Sequence, residues 1–417
     1  MTSIPSSNYE QDLNVKEKFQ LSRFLVKWEM ILVYILILIN LVLIIFKTDL
    51  YSVRTVQSIV QSGMDLSLMV LGMIFVLMIG DIDVSAASTM VFSAMVMGLV
   101  YDATGMAVFA VISGLAAGAL LGTFNGLLVA IVKMPAVIVT IATQSLFRGI
   151  VKIVLDVNVL KNYPSFFRSF YYGTLAGIPM PLIGFLAVAA LFCIILHRST
   201  FGRKLYMMGN NVTATQYSGI STIKTKIAVF AVMGFMAAFA SILFVGRMGG
   251  GISSTVGTGY ELDVIAICVL GGVSTAGGKG KVYGPIIATL IMAFLSYTLG
   301  LLGVDANSRK IVTGIILIIA VLIPNINKRS IANVKLRFLY SSNKNIEAVN
   351  IRTSNEVKEL RAKIKAVNKD HSVKDKGEQI RALETRIRNL KSKCQETTEK
   401  LRAEQKKDAM KVKNRFK

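Results

Sequence analysis

Hydrophobic residues dominate positions 30–325 of the chain, whereas both ends are hydrophilic. Several apolar runs approach or exceed the roughly 20 residues that a helix needs to cross a bilayer. The clearest runs cover residues 30–46, 106–132 and 227–245. So many dense runs could not all find a place in the core of a soluble protein. The pattern therefore predicts an all-α integral membrane protein.

Breaks in this pattern predict about ten transmembrane helices, some of them broken. Their approximate limits are 30–46, 64–80, 85–101, 106–132, 135–155, 180–197, 227–247, 262–277, 281–300 and 308–325. The fifth span is unusual because it contains Arg148 and Lys152. The span at 262–277 is short and ends in glycines, so we expect a broken segment there.

The same pattern divides the chain into three parts. These are an N-terminal segment at 1–29, a transmembrane domain at 30–325 and a basic C-terminal tail at 326–417. The N-terminal segment is polar and shows no cleavable signal peptide, so the first apolar run is predicted to be a retained span. Lys and Arg are enriched in the segments that an inside N-terminus places in the cytoplasm. We therefore expect both termini to be cytoplasmic, in a multi-pass protein of the cell membrane.

Charge and cysteine content narrow the possible partners. Residues 328–417 hold 26 Lys and Arg against 11 Asp and Glu, which is a net charge of +15 out of +23 for the whole chain. Beside a membrane-spanning body, an anionic lipid surface is a simpler partner for such a tail than nucleic acid. The three cysteines suggest free thiols and no disulfide framework. No Cys and His set has the spacing of a metal site, and no cofactor is expected in this chain.

Two aspartates interrupt an apolar region at residues 80–88, GDIDVSAAS. Charge is costly inside a membrane, so such a break must face water or be shielded by protein. Gly80 permits an unusual backbone turn, and Asp83 or Ser85 can cap the helix that follows. We interpret the segment as a capped helix junction. Direct contact of an aspartate with a substrate or proton, and packing between subunits, are the alternatives.

A second break occurs at residues 270–285, LGGVSTAGGKGKVYGP. Its glycines, which include Gly271 and Gly272, permit tight turns and close approach of helices. The spacing is not that of a phosphate-binding loop, so nucleotide binding is not expected here. The two breaks lie in loosely corresponding places of the two halves of the chain. Interrupted spans in both halves indicate a transport pathway.

The segment at 197–226, HRSTFGRKLYMMGNNVTATQYSGISTIKTK, is long and basic at both ends, yet it contains apolar residues. A fully solvated loop would not need them. The pattern predicts a short surface helix that docks onto another protein, with a self-packed loop as the alternative.

Four ordered stretches together resemble the permease subunit of bacterial ATP-binding-cassette importers of ribose-type sugars. They are GDIDVSAAS, FNGLLVAIVKMPAVIVTIATQSLFRGI, TFGRKLYMMGNNVTATQYSGI and GYELDVIAICVLGGVSTAGGKGKVYGP. The resemblance covers roughly residues 30–325. Asp81 departs from the family's usual second glycine, and Ala86 and Ala87 replace its Val-Gly pair. The pairing of IDVS with AASTMVFSAMVMG looks closest to the rhamnose and autoinducer-2 branch.

The resemblance implies a transport subunit without enzymatic activity. It would pair with a second permease, identical or homologous, and with cytoplasmic ATPase subunits that bind and hydrolyse ATP. A substrate-binding protein would deliver the solute from outside. The resemblance also assigns an ATPase-coupling loop, in which Tyr206, Met207 and Met208 would supply apolar anchors. The candidate coupling residues are Gly202, Arg203, Lys204, Tyr206, Gly209, Asn210, Ser218, Gly219 and Ile220.

The two breaks and the polar residues of the fourth and fifth spans are candidates for the translocation pathway or its hinges. Asn and Gln amides suit hydroxyl-rich ligands because they both donate and accept hydrogen bonds, but such side chains also join transmembrane helices. The candidates are Gly80, Asp81, Asp83, Ser85, Asn125, Thr140, Gln144, Gly271 and Gly272.

The tail extends about 90 residues past the point where this family usually ends. Apolar residues recur there at spacings of three and four in two runs, one at 357–367 and one at 380–394. Two short amphipathic helices, which could form an antiparallel pair, fit this pattern. A solvated and partly disordered tail, a self-association or ATPase-contacting element, and a lipid-binding element remain open.

Two other classes of function compete with the importer. Intramembrane carboxylates are often functional, so Asp81 and Asp83 could serve an ion- or proton-coupled secondary transporter. A membrane scaffold organised by the tail is the third possibility.

Overall fold

The computed structural model describes residues 28–46, 52–156, 158–305, 344–369 and 375–415, together with isolated positions between 308 and 318. The chain divides into two compact units, Met1–Val321 and Leu322–Lys417. The predicted N-terminal segment lies almost entirely outside the described residues. Most of the predicted tenth span, 308–325, lies outside them as well.

The first unit is built mainly from helices. They are α1 Trp28–Phe46, α2 Val53–Ser62, α3 Met64–Met78, α4 Ala86–Thr104, α5 Ala107–Ala130, α6 Ala136–Leu155, α7 Ser165–Tyr172, α8 Met180–Arg198, α9 Thr200–Asn210, α10 Val212–Tyr217, α11 Thr222–Arg247, α12 Tyr260–Leu270 and α13 Tyr283–Leu301. Two short strands, β1 Thr174–Leu175 and β2 Ile178–Pro179, form an antiparallel hairpin that pairs Thr174 with Pro179 and Leu175 with Ile178. Ala176 and Gly177 have positive φ angles of 50° and 80°, as this tight turn requires.

Six of the described helices are long and apolar enough to cross a membrane: α4, α5, α6, α8, α11 and α13. Helices α2 and α3 meet at an angle of 41° around Gly63, and this bent pair is a possible seventh span. The described residues therefore support a helical membrane protein but do not reach the predicted count of ten. The predicted span at 262–277 forms only the 11-residue helix α12, because the glycines after Leu270 end it.

Helix α3 lies at the centre of the unit. Apart from Asp65 and Ser67 it is apolar around its whole circumference, and every residue except Leu66 is buried. Such a helix needs neighbours on all sides, and α8, α11 and α12 pack against it. The first break begins directly after this buried helix, and the second follows α12, which packs against it.

Helices α5 and α11 form the largest helix interface, through a stripe of small residues. Four glycines of α5 recur at every fourth position and are buried: Gly114, Gly118, Gly122 and Gly126. A side chain at Gly122 would overlap the backbone of α11 at Phe230 and Gly234. Small residues let two helix backbones approach closely inside a membrane. This contact fixes the position of α5 and of the polar residue Asn125 that it carries.

The second unit is a pair of helices, α14 Lys344–Lys369 and α15 Lys376–Arg415. Cys394 Sγ, near the middle of α15, lies 3.5 Å from Asn350 Oδ1, in the first part of α14. The helices are therefore antiparallel, and Val357 and Leu360 of α14 are buried in the unit. Helix α15 has 40 residues, so it is much longer than the short helix that the sequence predicts.

Candidate translocation and coupling site

The first break separates α3 from α4. After α3 the backbone turns at Gly80, which has a positive φ angle of 80°. The backbone N of Asp81 donates to Val76 O at 3.2 Å. Asp83 Oδ1 then accepts from the backbone N and the hydroxyl of Ser85, at 2.8 and 2.6 Å. An aspartate that binds the backbone two residues ahead stabilises a turn. The Ser85 side chain accepts no backbone N–H of α4 and so does not cap it.

The buried Asp83 belongs to a network that joins three helices. Asn125 Nδ2 of α5 donates to Ser85 Oγ at 2.8 Å, so the Ser85 hydroxyl both donates and accepts. Thr140 Oγ1 of α6 lies 3.4 Å from Ile82 O. Asp83, Ser85, Asn125 and Thr140 are each almost completely buried. Two of the predicted candidates on spans four and five, Asn125 and Thr140, thus meet the first break, in an arrangement that fits a braced helix junction.

Burial changes the acidity of Asp83. Loss of hydration disfavours the charged carboxylate and raises its pKa to about 6, while the two bonds from Ser85 act in the opposite direction. The carboxyl group is therefore more readily protonated than an aspartate exposed to water.

Asp81 is held by an ion pair. Its Oδ2 lies 2.7 Å from Lys226 Nζ, in the first turn of α11, and both side chains are mostly shielded from solvent. The pair connects the first break to the helix that packs against α3 and α5.

The second break meets the first. It begins where α12 ends, at Gly271 and Gly272, and it contains Gly277 and Gly278 with φ angles of 85° and 69°. The backbone N of Gly278 donates to Met78 O, the last residue of α3, at 2.9 Å. The two interrupted segments of the chain are therefore in direct backbone contact.

Helix α9, the predicted surface helix, packs against this junction. Ser199 caps it by accepting from the backbone N of Gly202 at 3.1 Å. At its other end a Cβ on Gly209 would overlap Met78 O and the backbone N of Gly278. The Tyr206 hydroxyl donates to Gly280 O at 2.7 Å. Helix α9 therefore touches the end of α3, just before the first break, and the second break at once.

These contacts correct the prediction of apolar anchors for a partner protein. Met208 is 1% exposed and lies in the core with Leu205, while Tyr206 is half-buried against the second break. Of the three predicted anchors only Met207 is exposed. The amphipathic period of α9 turns Met208 inward. Of the predicted coupling residues, Gly202 is buried and Tyr206, Gly209 and Ile220 are half-buried. The exposed ones are Arg203, Lys204, Asn210, Ser218 and Gly219.

Gln144 lies in a different cluster. Its Nε2 donates to Glu261 Oε1 of α12 at 2.9 Å. Arg148, one turn later, donates to the carbonyls of Val256 and Gly257 at 2.5 and 2.9 Å. These bonds tie α6 to the start of α12, and the structure does not bring Gln144 together with Asp83 or Asn125.

Sequence reasoning missed a buried charged cluster at the opposite end of α11. Asp65, with no exposed side-chain surface, pairs with Arg247 at 3.0 Å, and Arg247 also donates to the Tyr260 hydroxyl and to Ser62 O. The cluster borders a cavity of about 380 Å³ between α3, α11, α12 and α13. Two features of the sequence point to this cluster: a lone aspartate in the apolar run after Gly63, and an arginine at the end of a span.

Comparison with known proteins agrees with this architecture. Residues 55–321 match the family described as the permease component of the branched-chain amino acid transport system. The chain belongs to this family, so it is a multi-pass membrane transport subunit and not itself an enzyme.

Individual relatives cover most of the chain. It is 34% identical over 317 residues to the ribose import permease protein RbsC of Haemophilus influenzae. The aligned stretch covers 75% of this chain and 97% of that protein. It is 34% identical over 300 residues to RbsC of Escherichia coli K12, 70% and 92% of the two chains. It is 31% identical over 309 residues to the L-arabinose transport system permease protein AraH of E. coli K12, 74% and 93% of the two chains. No solved structure matches the chain.

Proposed function

We propose that the chain is the permease subunit of an ATP-driven importer of monosaccharide-type sugars in a bacterial inner membrane, with both termini in the cytoplasm. The relatives are named for ribose import and L-arabinose transport, and they align over nearly their full length. The competing secondary transporter receives no support from the family. Asp81 is already neutralised by Lys226, and Asp83 is bonded within the protein.

The proposal includes three partners. A second permease subunit, identical or homologous, would complete the pathway, and an extracytoplasmic binding protein would supply the sugar. A cytoplasmic ATPase would supply the energy. Helices α5 and α6 have large apolar side chains on their outer faces, such as Phe109, Leu120 and Ile138. These faces are available for lipid or for the second permease subunit.

The contact of α9 with the end of α3 and with the second break is the observation that supports this function best. If the ATPase binds the exposed face of α9 through Arg203, Lys204 and Met207, any movement of α9 reaches Met78 and Gly278 directly. Each break is rich in glycine or polar residues and connects spanning helices. A shift of α9 would therefore change the relative positions of those helices, which is what alternating access requires.

Uptake by proteoliposomes tests the proposal. Vesicles that contain the permease, its ATPase and its binding protein should accumulate radiolabelled ribose or L-arabinose only when ATP is enclosed with the ATPase. Simultaneous Arg203→Glu and Lys204→Glu should abolish sugar-stimulated hydrolysis, whereas Arg54→Glu, at another exposed position, should not. Gly202→Pro should have the same effect, because proline removes the N–H that Ser199 caps. Uptake that needs only a proton gradient, or hydrolysis that persists in the double variant, would contradict the proposal.

A further inference from the structure

A second cavity of the first unit has a different chemistry. It has a volume of about 580 Å³ and lies between α8 and α11. Both helices pack on α3, and Phe75 of α3 forms the floor. The Phe75 ring lies 4.7 Å from the ring of Phe192 and 5.9 Å from that of Phe201. This groove, bounded by α8, α11 and Phe75, is called the aromatic groove below.

The two walls of the aromatic groove are helical stripes. On α11 they include Ala228, Val232 and Phe239, and on α8 Val188 and Leu191. These positions are spaced by three, four or seven residues, as one face of a helix requires. Among the lining residues only Ser199, at the end of α8, is polar. Water finds almost no hydrogen-bonding partners in such a groove, whereas a hydrocarbon chain can bury its whole length there.

Both stripes end in a cation at the same end of the groove. Arg198 is the last residue of α8 and stands two turns after Leu191, on the same side of the helix. Lys224 lies in the first turn of α11, one turn before Ala228. Both side chains are exposed. The segment 199–221 connects α8 directly to α11, so the two cations lie at the same side of the membrane.

From this geometry we propose that the aromatic groove binds one acyl chain of an anionic phospholipid, with its phosphate between Arg198 and Lys224. The volume lies within the roughly 300–1,000 Å³ typical of ligand sites. The apolar walls match the chain, and basic residues at the membrane boundary match an anionic headgroup. Such a lipid would fill the gap beside α9 and brace the wall of the coupling junction.

Photocrosslinking of the full-length protein in nanodiscs tests the site. The probe is phosphatidylglycerol with a diazirine on one acyl chain, and crosslinked peptides are mapped by mass spectrometry. In the wild type we expect crosslinks to the lining residues of α8 and α11. Val232→Trp, which fills the groove, should reduce them at least tenfold. Arg198→Gln with Lys224→Gln should reduce them several-fold, to the level given by a phosphatidylcholine probe.

Matched controls separate this site from general contact with the bilayer. Ile194→Trp, an exposed position of α8 outside the groove, and Arg54→Gln should leave the crosslinks unchanged. Ala228→Leu is the smaller filling variant if Val232→Trp does not fold. Crosslinks that persist in the filled variants overturn the proposal. The proposal is also overturned if the probe does not reach the wild-type groove because another protein subunit covers it. Crosslinks between protein chains would reveal such a subunit.

Discussion

Lys226 Nζ lies 2.7 Å from Asp81 Oδ2, and this ion pair joins the first turn of α11 to the break between α3 and α4. The last residue of α3, Met78, lies just before this break and accepts from Gly278 of the second break. Helix α9 contacts both of these residues. A charge that is costly in an apolar region is thus compensated at the point where the proposed coupling helix meets the spanning helices.

The Asp81–Lys226 pair is expected to show coupling in a double-mutant cycle. Asp81→Ala or Lys226→Ala alone leaves a mostly buried charge without its partner and should cost about 1–2 kcal/mol of stability. The double variant should lose less than the sum, with a coupling of about 1 kcal/mol. Thermal unfolding in detergent measures these values. Lys152→Ala, at an exposed position of α6, is the control, and strict additivity would show that the pair has no energetic role.

Gly209→Ala should weaken coupling more than it weakens folding. An added methyl group would overlap Met78 O and the backbone of Gly278, so α9 must move away from both breaks. We expect a destabilisation of about 1–3 kcal/mol and loss of sugar-stimulated ATP hydrolysis in the reconstituted transporter. Gly149→Ala is the matched control, because a Cβ there meets no atom within 4 Å. Equal hydrolysis rates in the two variants would contradict the role of the contact.

The stability of the protein should rise as the pH falls from 7.5 to 5.5. The folded state raises the pKa of Asp83 from 3.8 to about 6, so folding favours the protonated carboxyl group below that value. Linkage between protonation and folding predicts that the free energy of unfolding increases by about 1 kcal/mol over this range. The increase is measurable as a higher unfolding temperature. In Asp83→Asn the side-chain oxygen still accepts from Ser85 but does not titrate. This gain should therefore be missing from the variant, and an identical pH dependence in both proteins would exclude Asp83 as its source.

Arg247→Ala should be among the most damaging substitutions at the Asp65 cluster. It leaves the fully buried Asp65 without its cation, for which a loss of about 3–5 kcal/mol is typical. Arg247→Lys should recover only part of this, since a single ammonium cannot replace the contacts to Asp65, Tyr260 and Ser62 together. Asp65→Asn combined with Arg247→Met should be more stable than Arg247→Ala. A double variant as unstable as the single one would show that the charge itself is unimportant.

Truncation after Asn327 should leave import intact. The family match ends at residue 321, and the helical pair α14–α15 forms a compact unit of its own. We expect the truncated permease to keep its unfolding temperature and its uptake rate in the proteoliposome assay. Loss of uptake would assign the tail a direct part in transport and favour a scaffold or ATPase-contacting role.

Much of the architecture could be predicted from local pattern. The limits of α4, α6, α8 and α13 lie within a few residues of the predicted spans, because the free energy of membrane burial depends mainly on the composition of each segment. The two breaks were also visible, since glycine and charge interrupt hydropathy at the place where a helix ends. The glycine stripe of α5 is equally visible in its four-residue spacing.

The partners of the site residues could not be predicted in the same way. Whether Met208 points outward or inward depends on which face of α9 meets the core, and α9 has apolar residues at 205–208 on more than one face. Gln144 lies only four residues after Thr140, yet it bonds Glu261 while Thr140 meets the first break. Adjacent turns of one helix contact different neighbours, and spacing along the chain does not reveal which.

The sequence by itself determined that this protein is a helical membrane transport subunit with two interrupted spans, because hydrophobic length and helix-breaking residues act locally. Only the tertiary structure decided that these interruptions touch each other and α9, that Asp81 has Lys226 as its counter-ion, and that Asp65 has Arg247. Such pairs join residues far apart in the chain, and their energies depend on distances that exist only after the helices have packed.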